Sequence, residues 1–315
     1  MLRRALPAVI LVFWGAAQAQ SPEALNWLRK IHEATQKLSY TGTFVYQQGG
    51  RTETSRITRY VDAGGAIEKL EVMDGTPREI VRTKDTVRCY LPDSRVVKVD
   101  RRSAERGFPG LLPERVTALA RHYDISMGEG RRVAGFDCTA VVLKARDNLR
   151  YGYRLYADKA SGMLLRAVTF DDAGEVEQFV FTQLSLGKVT REMVKSRHAA
   201  GSWRVEDAGA VPASLAGWGL SAELPGFRKV VELKRRIGES KPVGQVVYSD
   251  GLAAVSVFIE PLEGRSAART GLASMGAIHI YTREVANHMV TVVGEAPALS
   301  VQRIADAVEY RRPQQ

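Results

Sequence analysis

Residues 40–62 read YTGTFVYQQGGRTETSRITRYVD, and the period of this stretch decides the fold. Two runs rich in β-branched and aromatic residues, alternating polar and apolar, flank Gly49-Gly50. That pair supplies the positive φ angles of a tight hairpin. A lone hairpin is barely stable in water, so it needs neighbouring strands. They follow at once: Ala63-Gly64-Gly65 turns the chain into AIEKLEVM (66–73), Asp74-Gly75 into TPREIVRT (76–83), Lys84-Asp85 into TVRCYL (86–91), and Pro92-Asp93-Ser94 into RVVKVD (95–100). Connections this short cannot cross over a sheet, so successive strands must be antiparallel neighbours.

The meander resumes at ISM (125–127). A turn is expected at Gly128-Glu129-Gly130, followed by RRVAGF (131–136), CTAVVLKA (138–145), LRYGYRLYAD (149–158), MLLRAVTF (163–170) and EVEQFVFTQLSL (175–186). About ten strands at even spacing make a sheet wide enough to curl. Two helices are expected beside it. Ser21-Pro22-Glu23 is a start signal, with a capping hydroxyl, proline in the first turn and an early acid. Leu25, Leu28, Ile31, Ala34 and Leu38 follow at helical spacing. A second helix is read from about Gly110 to Tyr123, with Leu111, Leu112, Val116, Leu119 and Ala120 on its apolar face.

Outward from this core, residues 1–20 (MLRRALPAVILVFWGAAQAQ) have the layout of an export leader. Arg3 and Arg4 precede a short apolar run, and Ala17-Gln18-Ala19 predicts cleavage between Ala19 and Gln20. No cysteine adjoins the cut, so the expected destination is the bacterial periplasm, without lipidation. Residues 199–223, rich in Gly, Ala, Ser and Pro around Trp203 and Trp218, read as a linker that docks. Beyond them FRKVVEL (227–233), two hairpins and a helix opening at Leu299-Ser300 predict a smaller unit. The expected layout is a leader at 1–19, a half-barrel domain at 20–198, a linker at 199–223 and a small α+β domain at 224–315. The fold class is mostly β with α+β: a large curved antiparallel half-barrel enclosing helices, then the smaller domain.

The chain has 315 residues, 45% hydrophobic and 25% charged, with a formal net charge of +10. An exported protein with this charge meets anionic lipid, lipopolysaccharide phosphate or an acidic segment rather than nucleic acid. Arg78, Arg82, Lys84 and Arg88 fall on adjacent strands and could form one basic patch; ordinary solvated faces are the alternative. Cys89 and Cys138 are an even pair in an exported chain, which favours a disulfide over two free buried thiols.

Searches for chemistry fail. No G-x-S-x-G, H-E-x-x-H or phosphate loop is present, and Gly217-Trp218-Gly219 opens no helix of a dinucleotide unit. None of His32, His122, His198, His279 and His288 lies three or four residues from another; only His279 and His288, on two arms of one hairpin, could approach each other. Asp171-Asp172 is turn chemistry. The chain is expected to be no enzyme, to need no metal or cofactor, and to work by binding.

SYTGTFVY (39–46), YLPDSRVVKV (90–99), VAGFDCTAVVL (133–143) and RYGYRLYADKASGMLLRAVTFDDAGEVEQFVFT (150–182) resemble, in this order, the N-terminal domain of the periplasmic sigma-E regulators of the RseB/MucB family. PGFR (225–228), YSDGLAAVSVFIEP (248–261) and MGAIHIYTREVANHMVTVVGEAP (275–297) resemble their C-terminal domain. The resemblance implies a curved sheet like that of the lipoprotein carriers LolA and LolB. It implies a negative regulator that binds the periplasmic part of a single-span anti-sigma factor of RseA or MucA type. Binding would shield that segment from the site-1 protease until lipid or lipopolysaccharide fragments release it. The alternative is a periplasmic lipid or lipoprotein carrier. Homo-oligomers are compatible with either.

Overall fold

The computed structural model describes residues 21–101, 112–113, 115–207, 209–236, 242–262 and 270–312. The expected leader and its cut at Ala19 and Gln20 lie outside the described residues.

Helix α1 (Pro22–Lys37) starts where the sequence says it should: Ser21 Oγ accepts from the Ala24 amide at 3.3 Å. It buries Leu28 and Ile31 completely. Each contributes about 1.5–3 kcal/mol by leaving water.

The first strands are β1 (Tyr40–Gln48), β2 (Arg51–Asp62), β3 (Gly65–Val72), β4 (Arg78–Arg82), β5 (Val87–Leu91) and β6 (Val96–Asp100). After them come β7 (Tyr123–Val133), β8 (Phe136–Ala145), β9 (Gly152–Asp158), β10 (Leu164–Asp171), β11 (Gly174–Leu186) and β12 (Arg204–Asp207). They form one 12-stranded sheet in the order β12-β6-β5-β4-β3-β2-β1-β11-β10-β9-β8-β7. Bulges bend it between Thr43 and Phe44 on β1 and between Thr169 and Phe170 on β10. Gly42 permits the bend, because a Cβ there would lie 2.7 Å from Phe181 Cε1 and from the Gln183 carbonyl oxygen. The curl brings edge strand β7 back against β11. α1 packs on β7, β8 and β10, covering one end of the concave face.

Two local expectations need correction. Gly128-Glu129-Gly130 is no turn; it is a bulge within continuous β7, and the chain reverses at Ala134-Gly135, both at positive φ. The second helix is, among the described residues, a single 3-10 stretch at Val116–Arg121. Leu112, Val116 and Leu119 are buried as expected, but apolar spacing alone could not distinguish a packed irregular segment from an α-helix.

The remaining strands are β13 (Val211–Pro212), β14 (Trp218–Leu220), β15 (Arg228–Arg235), β16 (Val243–Ser249), β17 (Ala254–Pro261), β18 (Gly271–Met275), β19 (Ile278–Val285), β20 (His288–Glu295) and β21 (Val308–Tyr310), with α2 (Ala298–Ala307) before the last. A 7-stranded sheet runs β13-β15-β16-β17-β20-β19-β18, and β14 pairs with β21. α2 lies across β19 and β20, sealing Val290 and Val292 beneath Val301 and Ile304.

The stretch read as a linker contributes a strand to each sheet: β12 pairs in parallel with β6, β13 with β15, and β14 with β21. Trp203 stacks edge-on against Tyr90 at 5.4 Å, and Trp218 packs on Tyr310 at 5.1 Å.

Candidate functional site

Strand alternation places Phe44, Ile57, Leu70, Ile80, Leu155 and Phe179 on the concave face of the large sheet, and beyond the reach of α1 that face holds a cavity of about 450 Å³. Its volume is that of a small-molecule site. The 7-stranded unit supplies part of the wall through Leu252, Ile278 and Glu295. A guest here touches both halves of the chain.

The seam between the halves has a buried pivot and a lighter contact. At the pivot Arg150 Nη1 meets Asp250 Oδ2 at 2.8 Å, with both side chains 0% exposed. Asp250 also accepts from Tyr123 Oη at 3.1 Å, and Arg150 donates to the Pro225 carbonyl at 2.7 Å and to Asp147 at 2.9 Å. Ser300 Oγ donates to the Leu149 carbonyl at 2.6 Å. The lighter contact joins two turn tips: Gly276 sits against Gln48, and Arg51 Nη1 reaches Met275 Sδ at 3.6 Å. Gly276 has φ +59°, and a Cβ there would collide with Gln48 Cγ.

Opposite charges mark the two ends of the cavity floor. Near the seam Glu177 accepts from Tyr46 Oη at 2.5 Å, Gln48 Nε2 at 3.0 Å and Thr169 Oγ1 at 3.1 Å. Glu295 faces the same space, and burial, then the Glu177 charge, raises its carboxyl to about 7. Burial first, then the hydrogen bond to Glu177, raises the Tyr46 phenol and keeps it a donor. At the far end Arg59 and Arg82 both pair with Glu68, Arg82 Nη1 at 3.2 Å from Oε2.

The expected basic patch does not form. Arg78 and Arg82 share the concave face, where Arg78 pairs with Glu53 at 3.2 Å. Arg88 lies opposite Val81 and points to the other face, and Lys84 is in the turn between strands. Cys89 and Cys138 are both free thiols. They stand on β5 and β8, separated in sheet order by the seven strands β4, β3, β2, β1, β11, β10 and β9, so the expected disulfide is absent. Burial raises both thiols, Cys138 to about 11, which makes them poor nucleophiles. His279 and His288 do not meet: His279 Nδ1 bonds the Ala296 carbonyl at 2.9 Å, while His288 packs on Trp218. No three His, Cys, Asp or Glu side chains converge as a metal set among the described residues.

A curved sheet with a partly filled concave face, shared with a second unit, defines an architecture built around a cavity. The comparisons identify which kind. Residues 23–200 match the model of the MucB/RseB N-terminal domain, and residues 212–309 that of the MucB/RseB C-terminal domain. The chain is 30% identical over 300 residues to the sigma factor AlgU regulatory protein MucB of Pseudomonas aeruginosa, covering 91% of this chain and 90% of that one. It is 24% identical over 309 residues to the sigma-E factor regulatory protein RseB of Escherichia coli K12, covering 95% and 94%. The solved complex of Pseudomonas aeruginosa MucA and MucB superposes with TM-score 0.71 at 28% identity, over 92% of this chain and 100% of the other. MucB alone gives 0.67, over 92% and 99%. The chain belongs to the MucB/RseB family.

Proposed function

We propose that this protein is a periplasmic negative regulator of an envelope-stress sigma factor. It binds the periplasmic segment of a single-span anti-sigma factor of MucA or RseA type and shields it from site-1 proteolysis. The supporting observation is the cavity walled by both units, in a chain similar along its length to sigma factor regulators. One of these relatives is solved in complex with the periplasmic part of MucA. Among the described residues β18 is an outer strand of the 7-stranded sheet, with Leu272 and Met275 exposed, and it offers an extended partner segment a backbone edge.

An amphiphile in the cavity releases the partner. It touches Leu252 and Ile278 as well as the large sheet, so a chain that fills the cavity favours a different seam from the one the partner holds. Titration calorimetry of the mature protein with the partner's periplasmic domain tests this. Binding is expected, and single-chain anionic lipid should weaken it. No binding rejects the reading, and affinity constant across the lipid titration rejects the release step.

The second reading is a lipid or lipoprotein carrier, favoured by the cavity alone. A protein that captures lipoprotein and no anti-sigma segment would establish it.

A further inference from the structure

Four residues stand in one row across the large sheet. Tyr40 on β1 pairs with Arg59 on β2, Arg59 with Glu68 on β3, and Glu68 with Arg82 on β4. All four side chains project on the concave side, and Glu68 and Arg82 line the cavity. Two guanidiniums share this one carboxylate, so the row carries one surplus positive charge.

The row is also short of acceptors. Among the described residues, Tyr40 Oη, Arg59 Nε and Arg82 Nε are buried without hydrogen-bond partners. Tyr40 is 0% and Arg59 8% exposed, so water does not freely satisfy them. Burial, then the charge of Glu68, raises the Tyr40 phenol, which leaves it a donor. Orphaned donors with net positive charge call for an oxyanion. The opposite end of the floor disfavours one, because the Glu177 carboxylate lies there beside Glu295. Between the ends, from Tyr40 to Gln48 along β1, the floor runs roughly 26 Å at ~3.3 Å per residue, past Phe44, Ile57 and Phe179.

We propose that Arg82, with Arg59 and Tyr40 behind it, is an oxyanion subsite that takes the phosphate or carboxylate head of a single-chain amphiphile, whose tail lies along the apolar floor toward the seam. This rests on the reading of the cavity as a guest site, and it fixes which way round the guest enters. Arg82 is the accessible member, with a side chain 34% exposed.

The test uses the mature protein and displacement of an apolar fluorescent dye by dodecyl phosphate, by dodecanol and by inorganic phosphate. Dodecyl phosphate is expected to bind about tenfold or more tightly than dodecanol, the worth of one charge-assisted pair. Arg82→Gln should bring the two within about threefold, with dodecanol affinity unchanged, and Arg82→Lys should restore part of the gap. Equal affinities in the unmodified protein overturn the subsite and leave the cavity reading intact. Equal loss of both ligands in Arg82→Gln assigns Arg82 a purely structural role and also overturns it. If neither amphiphile displaces the dye, the cavity reading fails and the subsite with it. Inorganic phosphate binding as tightly as dodecyl phosphate keeps the subsite but makes its ligand a free anion.

Discussion

Helix α2 lies across a sheet of seven strands and seals Val290 and Val292, whereas α1 lies across a sheet of twelve and makes its main strand contacts with β7, β8 and β10. Both helices are amphipathic and both sheets alternate, so the difference is one of area. A helix is about 10 Å wide and strands are spaced about 4.8 Å apart, so one helix shields two or three strands. In the small unit β14 and β21 cover more of the rest and leave a smaller cavity of about 270 Å³, lined by Trp218, Val246, Val257 and Val308. In the large unit, among the described residues, no helix covers the concave face of β1 to β4, which is apolar between its charged ends. The same chemistry that nearly fills one half leaves the larger space in the other.

The contrast can be broken most severely at the seam. Asp250→Ala removes one of two carboxylates paired with a fully buried guanidinium, together with the acceptor of Tyr123 Oη and of the Leu252 and Ala253 amides, and a loss of about 3–5 kcal/mol is expected by urea unfolding. A loss below about 1 kcal/mol would mean that the two halves fold without reference to each other. Next comes a paired test within the large sheet. Leu28→Ala on the buried face of α1 should cost about 2–5 kcal/mol, since the site is sealed and leaves a cavity. Ile80→Ala, on the open floor, should cost under about 1 kcal/mol because its side chain already borders empty space. Equal costs would show the floor to be ordinary core.

A third change sharpens the picture at the turn tips. Gly276→Val places a β-branched residue at φ +59° and drives it into Gln48, so a cost of about 1–3 kcal/mol is expected. It should appear together with faster dye entry into the cavity, and unchanged entry would separate the tips from access. The smallest effect is titration. The folded Glu295 carboxyl is raised to about 7 from an ordinary 4.5, so between these values the folded state holds a proton that the unfolded chain has lost. Its contribution is full below pH 4.5 and disappears as pH rises through 7. Melting temperature should therefore fall over that window, and Glu295→Gln should flatten this part of the slope.

The hairpins and the small unit were legible because Gly, Pro and Asx punctuate them; Val285-Ala286-Asn287 turns with Ala286 and Asn287 at positive φ. What escaped depends on register and on distant segments. Arg78 and Arg88 seem neighbours until the pairing of Arg82 with Val87 sets them on opposite faces. Cys89 and Cys138 look like a bridge until the strand order parts them. Glu177 and Glu295 meet only once two sheets are docked, and no spacing rule joins Arg59 to Arg82. Strand β18, GLASM, carries no alternation to announce it.

The chain passes from one sheet to the other between Asp207 and Val211, and on either side of that passage it is already zipped into a sheet, in parallel on β6 and antiparallel on β15. The pairings on either side restrain how far the two halves can separate. A protease nick in the crossing would leave a two-piece particle that still migrates as one.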